Sequence, residues 1–296
     1  MRTSKPASQA TRRATPRPEF DSPKIIRRDD AAHHVWGDVE AGFVTDRVYL
    51  STRQLHVLEY ELPPGGEFRH SPMNQTIFGG DVLYFVLDGT LVLADPSSGE
   101  LRRAHAGNGL LFRRGTWHNG FNPEAESLRV LEFFSPPPAR GTGSEFARRQ
   151  PPLDSTTYHD HRWDRRWPEA RDESIKEARL LPVGDDNALW GFRDHQASHQ
   201  VATLVDTEFL TVRHGLVMPG HAEDFDLVPD ETMIVCTEGE LWVDVFSPSG
   251  GYAPTCLTPG AAAYLPAGCQ ERVLVRSASR ARYLRGSGRV PDGWVA

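Results

Sequence analysis

The chain has 296 residues, of which 39% are hydrophobic and 25% charged, a composition typical of a globular protein with one large domain or two ordinary ones. Its net charge of −7 argues against nucleic acid as the main partner, and no apolar run is long enough for a transmembrane helix. Three cysteines without a C-x-x-C pair provide neither a disulfide framework nor a thiolate zinc site. We therefore expect a cytoplasmic protein that binds neither nucleic acid nor a membrane.

The N-terminal segment differs in charge from the rest of the chain. Residues 1–28 contain eight basic and two acidic side chains, and residues 1–20 include almost no large apolar residue. Such a segment cannot bury enough apolar surface to offset the entropy of ordering, and it lacks the hydrophobic region of a secretory signal. We predict a disordered basic tail over residues 1–30.

Short strands joined by Gly/Pro turns are predicted between residues 31 and 135. Alternating apolar residues predict a strand over Leu55–Leu62, before the turn at 63–66, and Leu128–Phe134 closes the region. Between them, Asp81–Leu93 contains two apolar runs separated by Asp88-Gly89, a dipeptide typical of a tight hairpin. A set of about eight such strands suits a small double-sheet jelly-roll barrel.

A connector follows the first barrel, over residues 136–205. It begins with a Pro- and Gly-rich stretch, and its one predicted helix covers Glu169–Leu181, which is acidic at its start and has Arg179 near its end. His159 and His161 have a spacing that is found in metal sites. Such a pair on a connector is more often solvated, so we interpret it as a surface feature.

The pattern of the first barrel returns in the second half of the chain. Asp81–Leu93 aligns with Glu231–Val243 at an offset of 150 residues, and Gly107–His118 aligns with Gly260–Glu271 at an offset of 153. Two aligned blocks in the same order indicate a tandem duplication. The repeat predicts a second barrel over residues 206–296, with its own tight hairpin at Glu238-Gly239.

The aligned blocks resemble the two sequence motifs of the cupin superfamily. The second family motif, G-x5-P-x-G-x2-H-x3-N, is matched in the first half by Gly107, Gly115, His118 and Asn122. In the second half the glycines and the proline match, but Glu271 stands in the histidine position. Of the first motif, G-x5-H-x-H-x3–4-E-x6-G, only the final glycine is found in either half. The resemblance implies an all-β fold of two tandem cupin-type jelly-roll barrels joined by a partly helical connector.

The resemblance also implies a site for one divalent transition metal, with iron or manganese preferred over zinc. Imidazoles and a carboxylate on facing strands converge inside such a barrel. In the first barrel, His118 matches a family ligand, His70 lies near the first family histidine, and Asp81 serves as the carboxylate if its strand has a one-residue bulge. Asn74 or Gln75 is a spare neutral ligand. The alternative makes His118 a hydrogen-bonded barrel histidine and Asp81 a part of the hairpin.

Four aromatic side chains are predicted to form an apolar substrate pocket beside this metal: Tyr84, Phe85, Phe112 and Trp117. Apolar walls favour an aromatic or polyketide-like substrate over a free sugar. The second barrel has an acid-rich set of its own, composed of His221, Glu223, Glu231 and Glu271. Because that set lacks a second histidine in a motif position, we predict that the second barrel is mainly structural.

Two classes of function fit these residues. The first is a metal-dependent cupin enzyme, dioxygenase-like or isomerase- or lyase-like, that converts a small organic molecule in the N-terminal barrel with His118 as a catalytic residue. The second is a metal-free bicupin that binds or senses a small ligand, which the missing H-x-H pairs support. A metal-independent isomerase or cyclase with His118 as general acid–base lies between them. We favour the enzyme, and the sequence leaves a homodimer open.

Overall fold

Strands dominate the molecule, as the alternating apolar pattern predicts. The computed structural model describes residues 14–137, 145–165 and 176–290. In chain order the strands are β1 (Lys24–Ile26), β2 (Ala32–Asp38), β3 (Gly42–Ser51), β4 (His56–Leu62), β5 (Glu67–Phe68), β6 (Asp81–Asp88), β7 (Thr90–Ala94), β8 (Leu101–His105), β9 (Asn108–Phe112), β10 (Asn119–Phe121), β11 (Leu128–Ser135), β12 (Leu180–Gly184), β13 (Leu189–Phe192), β14 (His199–Asp206), β15 (Leu210–Val217), β16 (Asp226–Leu227), β17 (Glu231–Glu238), β18 (Leu241–Phe246), β19 (Tyr252–Leu257), β20 (Ala262–Leu265), β21 (Gln270–Leu274) and β22 (Ala281–Gly288). Helix α1 covers Glu145–Arg149, and single 3-10 turns cover Arg28–Asp30, His161–Trp163 and Arg193–His195.

Each half of the chain builds a barrel from two antiparallel sheets. In the N-terminal barrel a seven-stranded sheet, ordered β12-β9-β6-β11-β4-β3-β2, faces a four-stranded sheet, ordered β5-β10-β7-β8. The C-terminal barrel repeats this plan, with the orders β1-β20-β17-β22-β15-β14-β13 and β16-β21-β18-β19. The predicted all-β class with two jelly-roll barrels is therefore confirmed.

The two barrels exchange their outermost strands. β1, from the start of the chain, pairs with β20 of the C-terminal barrel, and β12, from the connector, pairs with β9 of the N-terminal barrel. Each exchanged strand completes the edge of a sheet that belongs to the other half. The strand exchange and the packing of the two large sheets make the barrels one unit.

Three apolar cores hold the molecule together. One fills the N-terminal barrel and includes Leu62 and Leu93, and one fills the C-terminal barrel and includes Ile234 and Val243. The third lies between the two seven-stranded sheets, where Phe133 packs so closely on Gly286 that an added Cβ at this glycine would lie 2.1 Å from the phenyl ring. Alternation along each strand explains this arrangement, because successive side chains face the barrel interior and the other barrel in turn.

The two predicted tight hairpins are wrong. β6 pairs with β9 and β11, whereas β7 pairs with β8 and β10, so the strands on either side of Gly89 lie in different sheets. Gly89 and Gly239 have φ of 84° and 75°, which suits the sharp corner where the chain crosses between sheets. The acid-Gly pairs correctly predicted turns with positive φ. The same residue types occur in hairpins and in corners between sheets, so the sequence did not distinguish the two.

The predicted domain limits also need correction. Residues 1–13 lie outside the described part of the chain. Lys24–Ile26 is a strand, so the predicted disordered tail over residues 1–30 extends too far toward the C-terminus. Most of the predicted helix over Glu169–Leu181 lies outside the described residues, and its last two positions begin β12. The C-terminal barrel starts at β13 rather than at residue 206. Within the described ranges, no helix has the length and apolar character needed to span a bilayer.

Candidate metal centre

Three buried side chains meet inside the C-terminal barrel. His199, His221 and Glu223 each offer one ligand atom, and the three atoms lie within 4.8 Å of one another. The three residues are 0%, 4% and 5% exposed, respectively. Two imidazoles and one carboxylate form a ligand set that suits divalent transition metals. The cluster is therefore the candidate metal centre.

Local backbone structure brings the three side chains together. His199 is the first residue of β14. After β15, the chain makes a tight turn that contains Gly220, with φ of 77°. This turn returns the chain to the barrel and places His221 beside His199. Glu223 is then fixed by β21, since the backbone N–H of Val273 donates to its Oε1 at 3.0 Å. The carboxylate is thus anchored by one oxygen and presents the other to the histidines.

The distances within the cluster fit a metal ion. Glu223 Oε2 is 2.9 Å from His199 Nδ1 and 3.4 Å from His221 Nε2. With bonds of about 2.0–2.2 Å to a metal, neighbouring ligand atoms are about 3.0 Å apart in octahedral and about 3.4 Å apart in tetrahedral geometry. The donor set therefore fits a divalent ion with little rearrangement of these side chains.

Further hydrogen bonds orient both imidazole rings. His199 Nε2 is 2.8 Å from Tyr283 Oη, and His221 Nδ1 is 2.9 Å from Ser198 Oγ. Tyr283 reaches His199 by crossing Gly215, where an added Cβ would lie 2.1 Å from the phenol ring. Partners of this kind fix the orientation of metal-binding histidines. Gly215 is required here because only glycine leaves room for Tyr283.

The protonation states also suit metal binding. Burial by itself would raise the pKa of Glu223, but the hydrogen bond to His199, the charge of Arg193 and the N–H of Val273 together lower that pKa to about 2. Burial, and then the neighbouring charge of His199, lowers the pKa of His221. Glu223 is therefore ionised and His221 neutral at physiological pH, as metal ligands must be.

Arg193 lies at the edge of the cluster. Its Nε is 3.3 Å from Glu223 Oε2, and its guanidinium also contacts Asp226 and, at 3.8 Å, Glu271. Glu271 is fully buried and forms a second ion pair with Arg285. A metal ion would share the Glu223 carboxylate with Arg193, whose guanidinium also has Asp226 and Glu271 as partners.

A pocket of about 560 Å³ adjoins the cluster, with Arg193 and Arg285 in its wall. Arg213 also lines it and lies directly opposite Arg285 on the neighbouring strand. Arg285 is balanced by Glu271, whereas Arg213 forms no ion pair with a described residue. Two acids in the wall, Asp226 and Asp230, each already pair with an arginine. The pocket is therefore suited to an anionic ligand.

Solved structures of low sequence identity share the architecture of the whole chain. The oxalate decarboxylase of Bacillus subtilis is 11% identical, with a TM-score of 0.60 over 92% of this chain and 78% of that one. The oxalate decarboxylase of Lactobacillus farciminis, solved as a formate complex, is 12% identical, with a TM-score of 0.62 over 92% and 88%. A Pseudomonas aeruginosa protein described as glyoxylate-induced is 14% identical, with a TM-score of 0.64 over 97% and 95%. No protein-family model and no curated protein matches the sequence.

These matches cover 92–97% of the chain, which is too much for one barrel alone. The chain has the bicupin fold. The predicted resemblance to cupins is therefore confirmed at the level of the fold.

His118 lies inside the N-terminal barrel of this fold, as the motif predicts. It is fully buried, with its ring 4.3 Å from that of Phe112 and 4.8 Å from that of Phe78. Its Nε2 is 3.3 Å from Tyr84 Oη, and its Nδ1 is 3.3 Å from the carbonyl oxygen of Thr116. Burial lowers the pKa of His118 to about 3, so the ring is neutral. Aromatic rings surround this histidine, rather than other side chains that could bind a metal.

The other two predicted ligands of the bicupin have different surroundings. Asp81 is fully buried and accepts hydrogen bonds from Arg113 Nε at 2.8 Å and from the backbone N–H of Arg114 at 3.2 Å. The ring of His70 packs against Trp117 at 5.2 Å, and burial lowers its pKa. Asp81 thus holds the loop that follows β9, while His70 lies beside the α1 region.

The predicted metal ligands His70, Asp81 and His118 do not form a close group. Among the described residues, two groups of three such side chains have all their ligand atoms within 4.8 Å of one another. One is the buried cluster around Glu223, and the other is the exposed set His159, His161 and Asp164. The metal role of His118 stays a prediction. The buried candidate metal centre lies in the C-terminal barrel, which we predicted to be mainly structural.

The four predicted pocket residues divide between three places. Tyr84 and Phe112 belong to the core of the N-terminal barrel. Phe85 belongs to the core between the barrels, with its ring 5.9 Å from His214, because neighbours along a strand face opposite sides. Trp117 packs in a small cluster outside the barrel core. The four side chains therefore do not line one pocket.

His199 is the ligand that sequence reasoning missed. It lies in a segment assigned to the connector, and no motif marks it. A signal existed for the other two ligands, since Gly215-x5-His221-x-Glu223 matches the start of the first cupin motif with glutamate in place of the second histidine. Of the other acids in the predicted set, Glu271 contacts Arg193 near the cluster, whereas Glu231 binds Thr52 of the N-terminal half.

Proposed function

We propose that this bicupin is a metal-dependent enzyme that converts a small carboxylic acid in its C-terminal barrel. The observation that carries the proposal is the buried cluster of His199, His221 and Glu223 beside an arginine-lined pocket. The neighbours support it, since the names of two of them specify oxalate decarboxylase, and the Bacillus subtilis protein is described as having Mn(II) centres. The proposal places the site in the opposite barrel from the one favoured by the motifs.

The side chains have distinct tasks in this proposal. His199, His221 and Glu223 would hold a divalent ion, which supplies Lewis acidity to a bound carboxylate when present. Arg213 and Arg285 would bind the substrate carboxylate, because guanidinium groups match its planar geometry. The arginines thus set both the orientation and the charge of the substrate.

Glu271 is the residue best placed to exchange a proton with the substrate. It is fully buried, and its Oε2 accepts no hydrogen bond from any residue that the structure describes. Its Oε1 is bound by Arg285, which itself lines the pocket. One oxygen is therefore held in place, while the other is available to a substrate atom.

Manganese or iron is the ion that we propose, because the Bacillus subtilis oxalate decarboxylase is described as having Mn(II) centres, although two imidazoles and one carboxylate also form zinc sites. Two imidazoles and one carboxylate leave several positions open, and an octahedral ion fills those positions with oxygen atoms of substrate or water.

A metal-free bicupin that binds an organic acid is the second candidate function. The contact of 3.3 Å between Arg193 and Glu223 favours it, because the guanidinium already neutralises the carboxylate that a metal would use. In this arrangement the arginine pocket is unchanged, and only the ion is missing. The two candidates therefore share a ligand and differ in metal content.

Metal analysis of site variants separates the two functions. The full chain is stripped with a chelator, reloaded with Mn(II), desalted and measured by mass spectrometry for bound metal. We expect about one ion per chain in the wild type and a loss of at least tenfold in affinity for His221→Ala. His118→Ala and His159→Ala are the matched controls for the N-terminal barrel and the surface set, and both should retain the ion.

Two results would reject the metal-dependent enzyme. One is a wild-type chain that binds no Mn(II) or Fe(II), and the other is an unchanged metal content in His221→Ala. Thermal melting of each variant shows whether it is folded. A metal-loaded chain is then incubated with oxalate as a probe substrate, and release of formate and carbon dioxide is followed.

A further inference from the structure

The pocket beside the candidate metal centre lies where both sheets of the C-terminal barrel end. β13 is the outermost strand of the seven-stranded sheet, and β16 is the outermost strand of the four-stranded sheet. Residues of both strands line the pocket, and an ion pair between Arg193 and Asp226 joins the two edges. Arg193 also contacts Glu223 of the metal cluster. The pocket is therefore an opening between the sheet edges that adjoins the cluster.

Three apolar side chains of these edge strands are exposed although they belong to the pocket wall. Leu189 and Phe192, at the two ends of β13, are 80% and 61% exposed, and Leu227 on β16 is 62% exposed. Apolar side chains are scattered singly over most protein surfaces, whereas a group of them around one opening is typical of a ligand-binding groove. The wall of this opening therefore suits the apolar part of a ligand.

Arg213 and Leu189 belong to one row of residues across the large sheet. Leu189 lies opposite Thr203, and Thr203 lies opposite Arg213. All three line the pocket, and residues directly opposite each other in antiparallel strands share a face. Neighbouring strands are about 4.7–4.9 Å apart, so the backbone positions of Arg213 and Leu189 are about 10 Å apart. The row thus places a cation and an apolar surface at the two ends of one pocket.

Arg213 is available to bind an anion. It is exposed and forms no ion pair with a described residue, whereas three other arginines of the pocket wall, Arg193, Arg285 and Arg289, each pair with an acid. A guanidinium binds a carboxylate through two parallel hydrogen bonds, which makes the contact strong and directional. One unpaired guanidinium therefore favours a ligand with one carboxylate.

The corresponding opening of the N-terminal barrel is closed. Its edge strands are β2 and β5, and the ring of Trp36 on β2 packs edge to face on that of Phe68 on β5 at 6.2 Å. The inner face of that barrel also carries an acid, since burial, and then the nearby charge of Asp46, raises the pKa of Glu132 to about 8. The features that suit an anion with an apolar part belong to the C-terminal barrel.

We propose that the substrate of the C-terminal barrel is a monocarboxylic acid whose apolar tail extends from Arg213 across the sheet to Leu189 and Phe192. This inference rests on the proposed function and specifies its substrate. The pocket of about 560 Å³ falls in the range of about 300–1,000 Å³ that encloses ligands of drug size. Oxalate, in which two carboxylates are joined directly, would occupy only the end beside the arginines. The tail covers the exposed apolar side chains, which thereby select the length of the substrate.

Octanoate is a suitable probe, because its carboxylate matches Arg213 and its extended chain reaches Leu189. Its binding to the full-length, chelator-stripped chain is measured by calorimetry, beside acetate, which lacks the tail, and 1-octanol, which lacks the charge. We expect saturable binding of octanoate and binding at least tenfold weaker for both analogues. Acetate or 1-octanol binding as tightly as octanoate would overturn the proposal, as would no binding of octanoate at millimolar concentration.

Variants of the exposed residues then locate the probe. Leu189→Ser and Phe192→Ser should each weaken octanoate binding at least threefold and leave the affinity for oxalate unchanged. Phe43→Ser is the matched control, because Phe43 is 55% exposed on β3 of the other barrel. Circular dichroism melts confirm the fold, and if one tail variant does not fold the other decides.

Two results from these variants would overturn the proposal. One is an unchanged octanoate affinity in both tail variants. The other is a change in oligomeric state, measured by sedimentation, without any loss of octanoate binding, since a second copy of the chain would then be what covers the apolar residues.

Failure of this inference is distinguishable from failure of the proposed function. Metal analysis decides whether the barrel is a metal-dependent enzyme, whereas octanoate binding is measured on the metal-free chain. A chain that binds Mn(II) but binds acetate as tightly as octanoate contradicts only the apolar tail. A chain that binds octanoate as expected but holds no metal contradicts only the metal-dependent enzyme and supports the ligand.

Discussion

The two barrels are built on one plan but carry different polar groups at the same place. Glu132 and Arg285 occupy the same position on the last strand of their barrels, opposite Tyr84 and Ile234, which the sequence repeat aligns. The result is a carboxyl group inside one barrel and a guanidinium inside the other. Duplication has preserved the strands and has let the polar side chains of the inner faces diverge.

The second motif shows the same divergence. His118 in the first barrel and Glu271 in the second hold the same motif position, and both are fully buried. His118 is surrounded by aromatic rings, whereas Glu271 pairs with Arg285 and lies near Arg193. The motif therefore fixes where a side chain points, while its neighbours decide what it can bind.

The largest expected effect comes from removing the carboxylate of the metal cluster. Glu223→Ala deletes the buried carboxylate that contacts Arg193 and both imidazoles, and deleting one partner of a buried ion pair costs about 3–5 kcal/mol. Urea unfolding of the metal-free protein measures this loss. Glu240→Ala, at an exposed position of the same barrel, is the control and should change stability by less than about 0.5 kcal/mol.

The corresponding test in the N-terminal barrel depends on pH. Unfolded Glu132 releases its proton near pH 4.5, while folded Glu132 holds it up to about pH 8. Folding therefore binds a proton in this window, and its contribution to the stability of the wild type falls as the pH rises from 4.5 to 8. Glu132→Gln removes the effect, so its stability relative to the wild type should increase by on the order of 2–4 kcal/mol across the window. A difference that stays constant from pH 5 to pH 8 would contradict the buried, protonated state of Glu132.

A smaller loss is expected at Gly215. Gly215→Ala places a Cβ 2.1 Å from the ring of Tyr283, so the phenol must move away from His199. Overpacking of this kind costs about 1–3 kcal/mol. Gly191→Ala is a matched control in the same barrel, because no atom lies within 4 Å of the added Cβ. Equal melting temperatures for the two variants would contradict the crossing of Tyr283 over Gly215.

The smallest effect concerns the arginine pocket. Arg213→Ala should weaken oxalate binding by about five- to tenfold, because one partly exposed charge–carboxylate contact contributes about 1 kcal/mol. Arg213→Lys should recover part of the affinity. Calorimetry with oxalate measures both, and Arg53→Ala, at an exposed position of the other half, is the control. Oxalate binding that is insensitive to Arg213 would place the anion elsewhere.

The sequence predicts the architecture well because the duplicated pattern extends over many residues of both halves. Strand alternation and the two aligned blocks were sufficient for two jelly-roll barrels. Sheet membership was not predictable, since Gly89 has the same positive φ in a corner as in a hairpin. The exchange of β1 was missed because Lys24–Ile26 is too short to stand out from a basic segment.

The candidate site was predicted less well, for a physical reason. A ligand set depends on which side chains converge, and convergence depends on pairing between distant strands. His199 and Tyr283 are 84 residues apart, and no local pattern joins them. Asp81 fits the family spacing for a metal ligand only if its strand has a one-residue bulge, and its carboxylate is bound to Arg113. The motif positions indicated which side chains face the barrel interior. They did not indicate which other residues bind those side chains.

The location of a bound metal tests the central claim most directly. Crystals of the full chain are grown with Mn(II), and anomalous diffraction is recorded at the manganese edge. We predict one strong anomalous peak between His199, His221 and Glu223, with about 2.0–2.3 Å to each ligand atom. A peak beside His118 in the N-terminal barrel, a peak at the surface pair His159 and His161 alone, or no peak at all would contradict it.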